Sequence, residues 1–290
     1  MFSVREAFGI CNGQFREWPS NLRVYMAFLF GMAVSSVPVL NYLDFAKALQ
    51  EPMNAVEPFI ILQTLREQMT ILLLGLLLLL SDAPFINQRS TYSIIRVSRK
   101  SWAVGMILYV VAAAFLYYLV MLVFSIGLVS ARAYFGNFWS DAIYSLANMP
   151  SVNSSIEFGI YFPYIMIVKS LSPLQAVFHT VCLASIYGAI LALVVFTVSM
   201  RNNRIYGLIA ALVVHAAGYI MVSEAYINIP KASLLANTLL GFHTFSSGAT
   251  SGITLTFSYI LLGVVAILLA ALAILLSRKL DCSVSLGEKK

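Results

Sequence analysis

Long uncharged stretches, rather than amphipathic stripes, organise this chain. Val24 to Leu43, Ser101 to Ala131, Ser170 to Met200 and Ile205 to Ser223 contain no Asp, Glu, Lys or Arg. A helix crossing about 30 Å of hydrocarbon needs roughly 20 apolar residues, so each stretch predicts a membrane-spanning helix. Ala232 to Ser277 is uncharged too, but Ser246, Ser247, Gly248, Ser251 and Gly252 punctuate it, and the span is expected to start near Ile253. The remaining span is less regular. Gln68 to Ser81 is only 14 residues long, so its helix is expected to begin at Pro58, where a missing N–H costs nothing, and to carry Arg66 and Glu67 inside it. The pattern predicts spans at 24–43, 58–81, 102–130, 174–199, 205–224 and 253–277, all within a transmembrane domain of residues 23–280.

Composition agrees with that pattern. Of the 290 residues, 60% are hydrophobic and 10% charged, and mean hydropathy is +0.88. A soluble domain of about 25% charged residues is excluded, as are disordered and disulfide-scaffold classes. Cys11, Cys182 and Cys282 form no CxxC and no paired framework, which argues against a thiolate metal site. The charges Arg5, Glu6, Arg16, Glu17 and Arg23 precede the first apolar run, so that run is expected to stay as an uncleaved anchor.

The net charge of +6 reads as topology. With six crossings and the N-terminus inside, the inner segments hold Arg5, Arg16, Arg23, Arg89, Arg96, Arg99, Lys100, Arg201, Arg204, Arg278, Lys279, Lys289 and Lys290. Only Lys47, Arg132, Lys169 and Lys231 lie outside, with Arg66 in the membrane. Such asymmetry places both termini in the cytoplasm and removes the reason to expect a nucleic-acid partner. Residues 1–22 then form a cytoplasmic amphipathic segment whose Phe2, Phe8, Phe15 and Trp18 face the headgroups. Residues 281–290 form a cytoplasmic tail. The outer loop 132–169 carries nine aromatics, too many for free solvation, so short helices there are expected to fold back into the interface.

Candidate chemistry is sparse. The chain holds no phosphate-cradling Gly-rich loop and no His-Glu-x-x-His, so neither nucleotide binding nor zinc hydrolysis is expected in it. No catalytic residues, bound cofactor or metal are expected. At 1.5 Å per residue, Arg66 lies roughly 22 Å from Ser81, in the outer half of the membrane. Neighbours in sequence point about 100° apart on a helix, so Arg66 and Glu67 are each expected to need a partner of their own or a polar cavity. His215 sits mid-span beside Ala216, Ala217 and Gly218; it reads as a packed, hydrogen-bonded histidine, with a site on a translocation path as the alternative. Glu57 before Pro58 reads as a helix N-terminal acid.

The loop 82–101 carries more information. In SDAPFINQRSTYSIIRVSRKSW, Pro84 ends a span, and Tyr92, Ile94, Ile95 and Val97 alternate with basic residues. That arrangement suits a short amphipathic helix offering apolar knobs and an Arg-rich rim to another protein. This run, preceded by EPFIIL and a Leu-rich span, resembles the permease subunits of bacterial ABC-2-type transporters. The resemblance covers most of the chain in topology and is sharp over about residues 57–102.

It implies a type V exporter-like architecture in the bacterial plasma membrane, with the loop serving as the coupling element. Asp82 would belong to that element, Arg89, Arg96 and Arg99 would position it against acidic groups of an ABC ATPase subunit, and Tyr92, Ile94 and Ile95 would fill the ATPase cleft. ATP and Mg would be bound by that partner, and a second permease chain, identical or related, would complete the pore. The cargo would be an amphiphile such as a peptide, lipid-like molecule or drug. One departure is that the outer segments are too small for a capture domain. A non-transporting membrane scaffold or immunity protein, or a secondary transporter using Arg66, Glu67 and His215, are the rival readings.

Overall fold

Polar side chains start most of the helices. The computed structural model describes residues 3–83, 97–148, 157–201, 203–223, 229–245 and 252–277. Ser3 accepts from the Glu6 amide to cap α1 (Val4–Arg16). Asn21 does the same for α2 (Leu22–Ala48) through Arg23, and Ser98 caps α5 (Arg99–Val129). Ser172 and Gln175 form a reciprocal capping box, with Pro173 in the first turn, at the start of α8 (Pro173–Ser199). Such caps satisfy amides that no preceding helical carbonyl can reach.

Two further long helices, α9 (Arg204–Ser223) and α10 (Leu255–Ser277), complete a set of five that are long and apolar enough to cross a membrane. The expected spans at 24–43, 102–130, 174–199, 205–224 and 253–277 coincide with these helices to within a few residues. The protein is an all-α polytopic chain with five such helices, or six if the remaining bent pair is one span.

That bent pair departs from expectation. The helix expected over 58–81 is divided at Leu65 into α3 (Glu57–Thr64) and α4 (Arg66–Leu80), inclined at 94°. Leu65 is extended (φ −89°, ψ 124°), so the hydrogen-bond ladder stops there. All eight residues of α3 are buried, Glu57 among them. Continuing straight would have kept Arg66 and Glu67 inside a helix; the break leaves both on a first turn, with side chains 34% and 53% exposed.

The helix α8 is the axis of the bundle. It packs on α3, α4, α5, α9 and α10, and 78% of its most apolar window is buried, against 17% for α10. Small residues make that central position possible, since without a hydrophobic drive between helices in lipid, close backbone approach supplies the attraction. A Cβ built on Gly188 would collide with Leu76 and crowd Tyr118. The outer faces of α9 and α10 display Ile209, Val213, Ile220, Ile260, Val264 and Ile267, the side chains a lipid-facing surface requires.

At one end of the bundle, α1 lies across α5. The backbone of Ala7 and the side chain of Ile10 close on Gly105, the Ser3 amide donates to Ser101 Oγ (2.9 Å), and Trp18 Nε1 donates to Tyr109 Oη (2.9 Å). Phe8 stays 61% exposed, but Phe15 and Trp18 pack against Tyr109. The expected aromatic face is therefore split among the described residues, with Phe15 and Trp18 turned into the protein and Phe8 away from it, because α5 offers a glycine groove and a phenol to bond. Phe2 lies outside the described residues.

At the opposite end, β1 (Met53–Asn54) pairs in parallel with β2 (Ala133–Tyr134). Residues 132–170 contain the short helices α6 (Asp141–Asn148) and α7 (Ile165–Ser170). The apolar residues Ala142, Ile143, Leu146 and Ala147 of α6 are buried, and Trp139 Nε1 donates to the Leu171 carbonyl (2.7 Å). Residues 229–245 fold against this same end, with Leu235, Ala236, Leu239 and Leu240 buried.

Candidate functional site

Three span ends meet at Asp82. Its carboxylate pairs with Arg23, at the start of α2, and with Arg204 Nη1, at the start of α9 (3.3 Å); Arg23 Nη1 also donates to Ser81 Oγ (3.0 Å). Each of these side chains is a third or more exposed, so screening keeps each pair weak by itself. Their geometric effect is larger, because one acid gathers α2, α4 and α9 where the 82–101 loop leaves the bundle. Arg99 opens α5 on the far side of that loop. Arg89, Tyr92, Ile94, Ile95 and Arg96 lie outside the described residues.

Arg66 and Glu67 pair with each other, and each also has a partner on α9, with Tyr219 Oη donating to Glu67 Oε1 (3.5 Å). Arg66 Nε donates to Glu67 Oε1 (2.6 Å) and Nη1 donates to Ser223 Oγ (2.8 Å), while the guanidinium stands 5.1 Å from the centre of the Tyr219 ring. The 100° separation holds for the backbone, but on the first turn of α4, with no preceding turn in the way, two long side chains can converge. The pair ties the broken span to the end of α9.

His215 is a packed histidine, 4% exposed. Thr70 Oγ1 donates to the Arg66 carbonyl (2.6 Å), so its contact with His215 Nε2 (3.0 Å) requires the histidine to donate there. The other nitrogen, Nδ1, bonds to Tyr187 Oη (2.8 Å). Counting protons fixes Nε2 as a donor, and the two contacts make His215 a bridge among α4, α8 and α9.

Sequence reasoning placed Glu57 correctly in a first turn but missed its role. Its Oε1 accepts from the Ser140 amide (2.8 Å), and Oε2 accepts from Tyr42 Oη (2.9 Å), Ser140 Oγ (2.7 Å) and the Asn54 amide (3.0 Å). Asn54 Nδ2 in turn donates to the Gly136 and Phe138 carbonyls. One fully buried carboxylate thus joins α2, the α2–α3 connection, α3 and the entry to α6. Burial, with Glu57 and Asp141 nearby, pushes the Tyr134 phenol up to about 12. The only sequence signal was Asn54 three residues before an acid; Tyr42 and Ser140 are too distant to connect by spacing.

A second polar knot lies in the 229–245 segment. His243 Nδ1 faces the Leu239 carbonyl (3.1 Å), Nε2 faces Ser258 Oγ (2.9 Å), and Ser258 donates to Asn237 Oδ1 (2.8 Å). Two neutral acceptors favour the imidazolium only weakly, and burial dominates, so the pKa is lowered to about 4. Its titratable neighbours are His179 on α8, which lowers it further, and Tyr259 on α10, bonded to His179. Because an unfolded histidine titrates near 6.5, the unfolded chain binds the extra proton between about pH 6.5 and pH 4. Stability is therefore full above that window and falls as pH drops through it. His243→Gln is expected to flatten this dependence in thermal unfolding between pH 7 and pH 4; an unchanged slope would contradict it.

Among the described residues no group of three or more His, Cys, Asp or Glu side chains could hold a metal ion. An open groove of about 420 Å³ runs beside Lys47, Gln50 and Arg132 at the end of α2. No family model matches the chain, and no curated protein or solved structure matches it.

Proposed function

We propose that this chain is the membrane-spanning permease subunit of an ABC-2-type transporter in the bacterial plasma membrane. Both termini lie in the cytoplasm, and energy comes from separate ABC ATPase subunits that bind ATP and Mg. Two permease chains flank the path of an amphiphilic cargo, in the export direction. The loop around Tyr92, Ile94 and Ile95 seats in the ATPase, with Arg89, Arg96 and Arg99 as its charged rim.

The observation that carries this reading is the junction at Asp82, where one acid joins the ends of α2, α4 and α9 at the root of that loop. A push on the loop is delivered to three spans at once rather than to the helix it continues. Docked α1 adds a fourth element, braced on α5 just beyond the other root of the loop. Coupling by rigid elements of this kind is how small displacements at one site become rearrangements at another.

The test is co-expression with an ABC ATPase encoded alongside the chain. The Ile94→Asp, Ile95→Asp double variant is expected to abolish co-purification of the ATPase and to return its hydrolysis to the rate of the ATPase alone. Undiminished association, or hydrolysis indifferent to the presence of this chain, would overturn the proposal.

A further inference from the structure

A backbone turn shapes the end of α2 that carries Lys47. The Gln50 amide bonds to the Lys47 carbonyl (3.0 Å) and the Glu51 amide to the Ala46 carbonyl (3.1 Å), the paired contacts that close a helix through a left-handed residue. That residue is Gln50 (φ 59°), the one non-glycine residue with positive φ among the described residues. Glycine adopts this conformation without strain, and side chains held there against it cluster at ligand sites. Gln50 lines the groove of about 420 Å³ at this helix end. The turn folds the chain back, so Glu51 lines the same groove as Lys47 and Arg132.

The groove also has an apolar side, formed by Leu43, Ala46 and Met53. Its depth follows from the length of α2. Twenty-seven residues at 1.5 Å each make a helix of about 40 Å, against about 30 Å of hydrocarbon, so the last turn reaches the headgroups. Residues three and four apart share a helix face, and from Lys47 that face runs back through Leu43 to Leu40, with Val37 beside it. Leu40 and Val37 are exposed, so an apolar track leads from the groove along α2 toward the bilayer interior.

The charges on the polar side select the ligand. Lys47 Nζ is bonded to Asp44 (2.6 Å) and neutralised by it. Glu51 and Arg132 line one groove yet form no ion pair, with each other or elsewhere, among the described residues. A bare anion would satisfy Arg132 and oppose Glu51, and a bare cation would do the reverse. A ligand carrying both charges a few atoms apart satisfies both. We propose that this groove binds a phospholipid with a phosphoethanolamine headgroup, its phosphate on Arg132, its primary ammonium on Glu51 and the Gln50 carboxamide beside them. The acyl chains follow the Leu43–Leu40 track, and the volume is that of an ordinary small-ligand site. The groove lies at the end of α2 remote from Arg23 and the Asp82 junction, so the inference does not depend on what the 82–101 loop engages.

The experiment is native mass spectrometry of the full-length chain, delipidated in detergent and given an equimolar mixture of three phospholipids with identical acyl chains. Phosphatidylethanolamine is expected to be retained about fivefold over phosphatidylglycerol, which has no ammonium, and over phosphatidylcholine, whose ammonium has no N–H. That factor is the effect of one exposed charged hydrogen bond. Glu51→Gln is expected to erase the preference, Glu51→Lys to turn it toward phosphatidylglycerol, and Arg132→Gln to lower retention of all three lipids about fivefold. Both residues are exposed, so the variants are expected to melt with the parent. Soluble glycerophosphoethanolamine, lacking acyl chains, is expected not to displace the lipid at equal concentration. Equal retention of the three lipids, a preference for phosphatidylglycerol in the parent, a preference that survives Glu51→Gln, or displacement by the soluble headgroup would overturn the proposal.

Discussion

Replacing Glu57 by alanine is expected to lower stability by at least about 3 kcal/mol, the largest effect of any single polar substitution in the described chain. The change removes the acceptor of four donors, the Ser140 amide and hydroxyl, the Tyr42 hydroxyl and the Asn54 amide, of which the two hydroxyls keep only their mutual contact at 3.3 Å. Each buried donor left unmet costs on the order of 1–3 kcal/mol, and relaxation of the surface loops recovers part of the sum. The loss would be local in structure. Without the carboxylate, residues 133–140 keep the two-residue β1–β2 pairing, the Ala55 amide bond to the Tyr134 carbonyl and the Asn54 side chain as hydrogen-bonded ties to the α2–α3 connection. Thermal unfolding in detergent, with proteolysis of the 133–140 loop as a second readout, would show the variant melting early and being cut there first. Glu57→Gln should fall between, since its amide oxygen still accepts but its NH₂ faces donors. A Glu57→Ala protein that melts with the parent would show that the network contributes nothing.

The second large effect is expected at Gly188. A side chain there meets Leu76 on α4 and the ring of Tyr118 on α5, so Gly188→Val must separate the central helix from two neighbours at once. Overpacking in a close-packed interior costs about 1–3 kcal/mol, and α8 packs on five other helices, which puts this substitution near the upper end. Gly127 provides the control, because nothing lies within 4 Å of a Cβ built there. Gly127→Ala should leave the melting temperature unchanged or raise it, given the helix preference of alanine. Equal behaviour of the two variants would argue that α8 is not the packing axis.

Which features were legible in the sequence follows from the range of the forces involved. The spans were legible because exclusion of charge from hydrocarbon acts residue by residue, and every uninterrupted stretch became a helix. Short helices were expected in the 132–169 segment from its aromatics, and two form there, but their buried residues are aliphatic while Phe135, Phe138 and Tyr161 stay exposed. The break at Leu65 was not legible. Gln63-Thr64-Leu65-Arg66 contains neither proline nor glycine, the usual local causes of a kink. The bend accompanies tertiary contacts, with Glu57 fixed to Ser140 at one end of α3 and Arg66 fixed to Ser223 beyond the other. Those partners lie 83 and 157 residues away, beyond any spacing rule. The same holds for Asp82, whose place in the loop was visible but whose pairs with Arg23 and Arg204 of its own chain were not. His215 was read correctly as a packed histidine; its bridging partners Thr70 and Tyr187 came only from the fold.

The seating of α1 on α5 bears on biogenesis. Ser3 bonds to Ser101 and Trp18 bonds to Tyr109, so the first helix made must wait for the fifth before it has anywhere to dock. At roughly 5–20 residues per second of synthesis, that interval is on the order of 5–20 s, during which an amphipathic segment with exposed Val4 and Phe8 has only the lipid surface to shelter it. Synthesis in chain order therefore leaves Val4–Arg16 without its seat until Arg99–Val129 has been made.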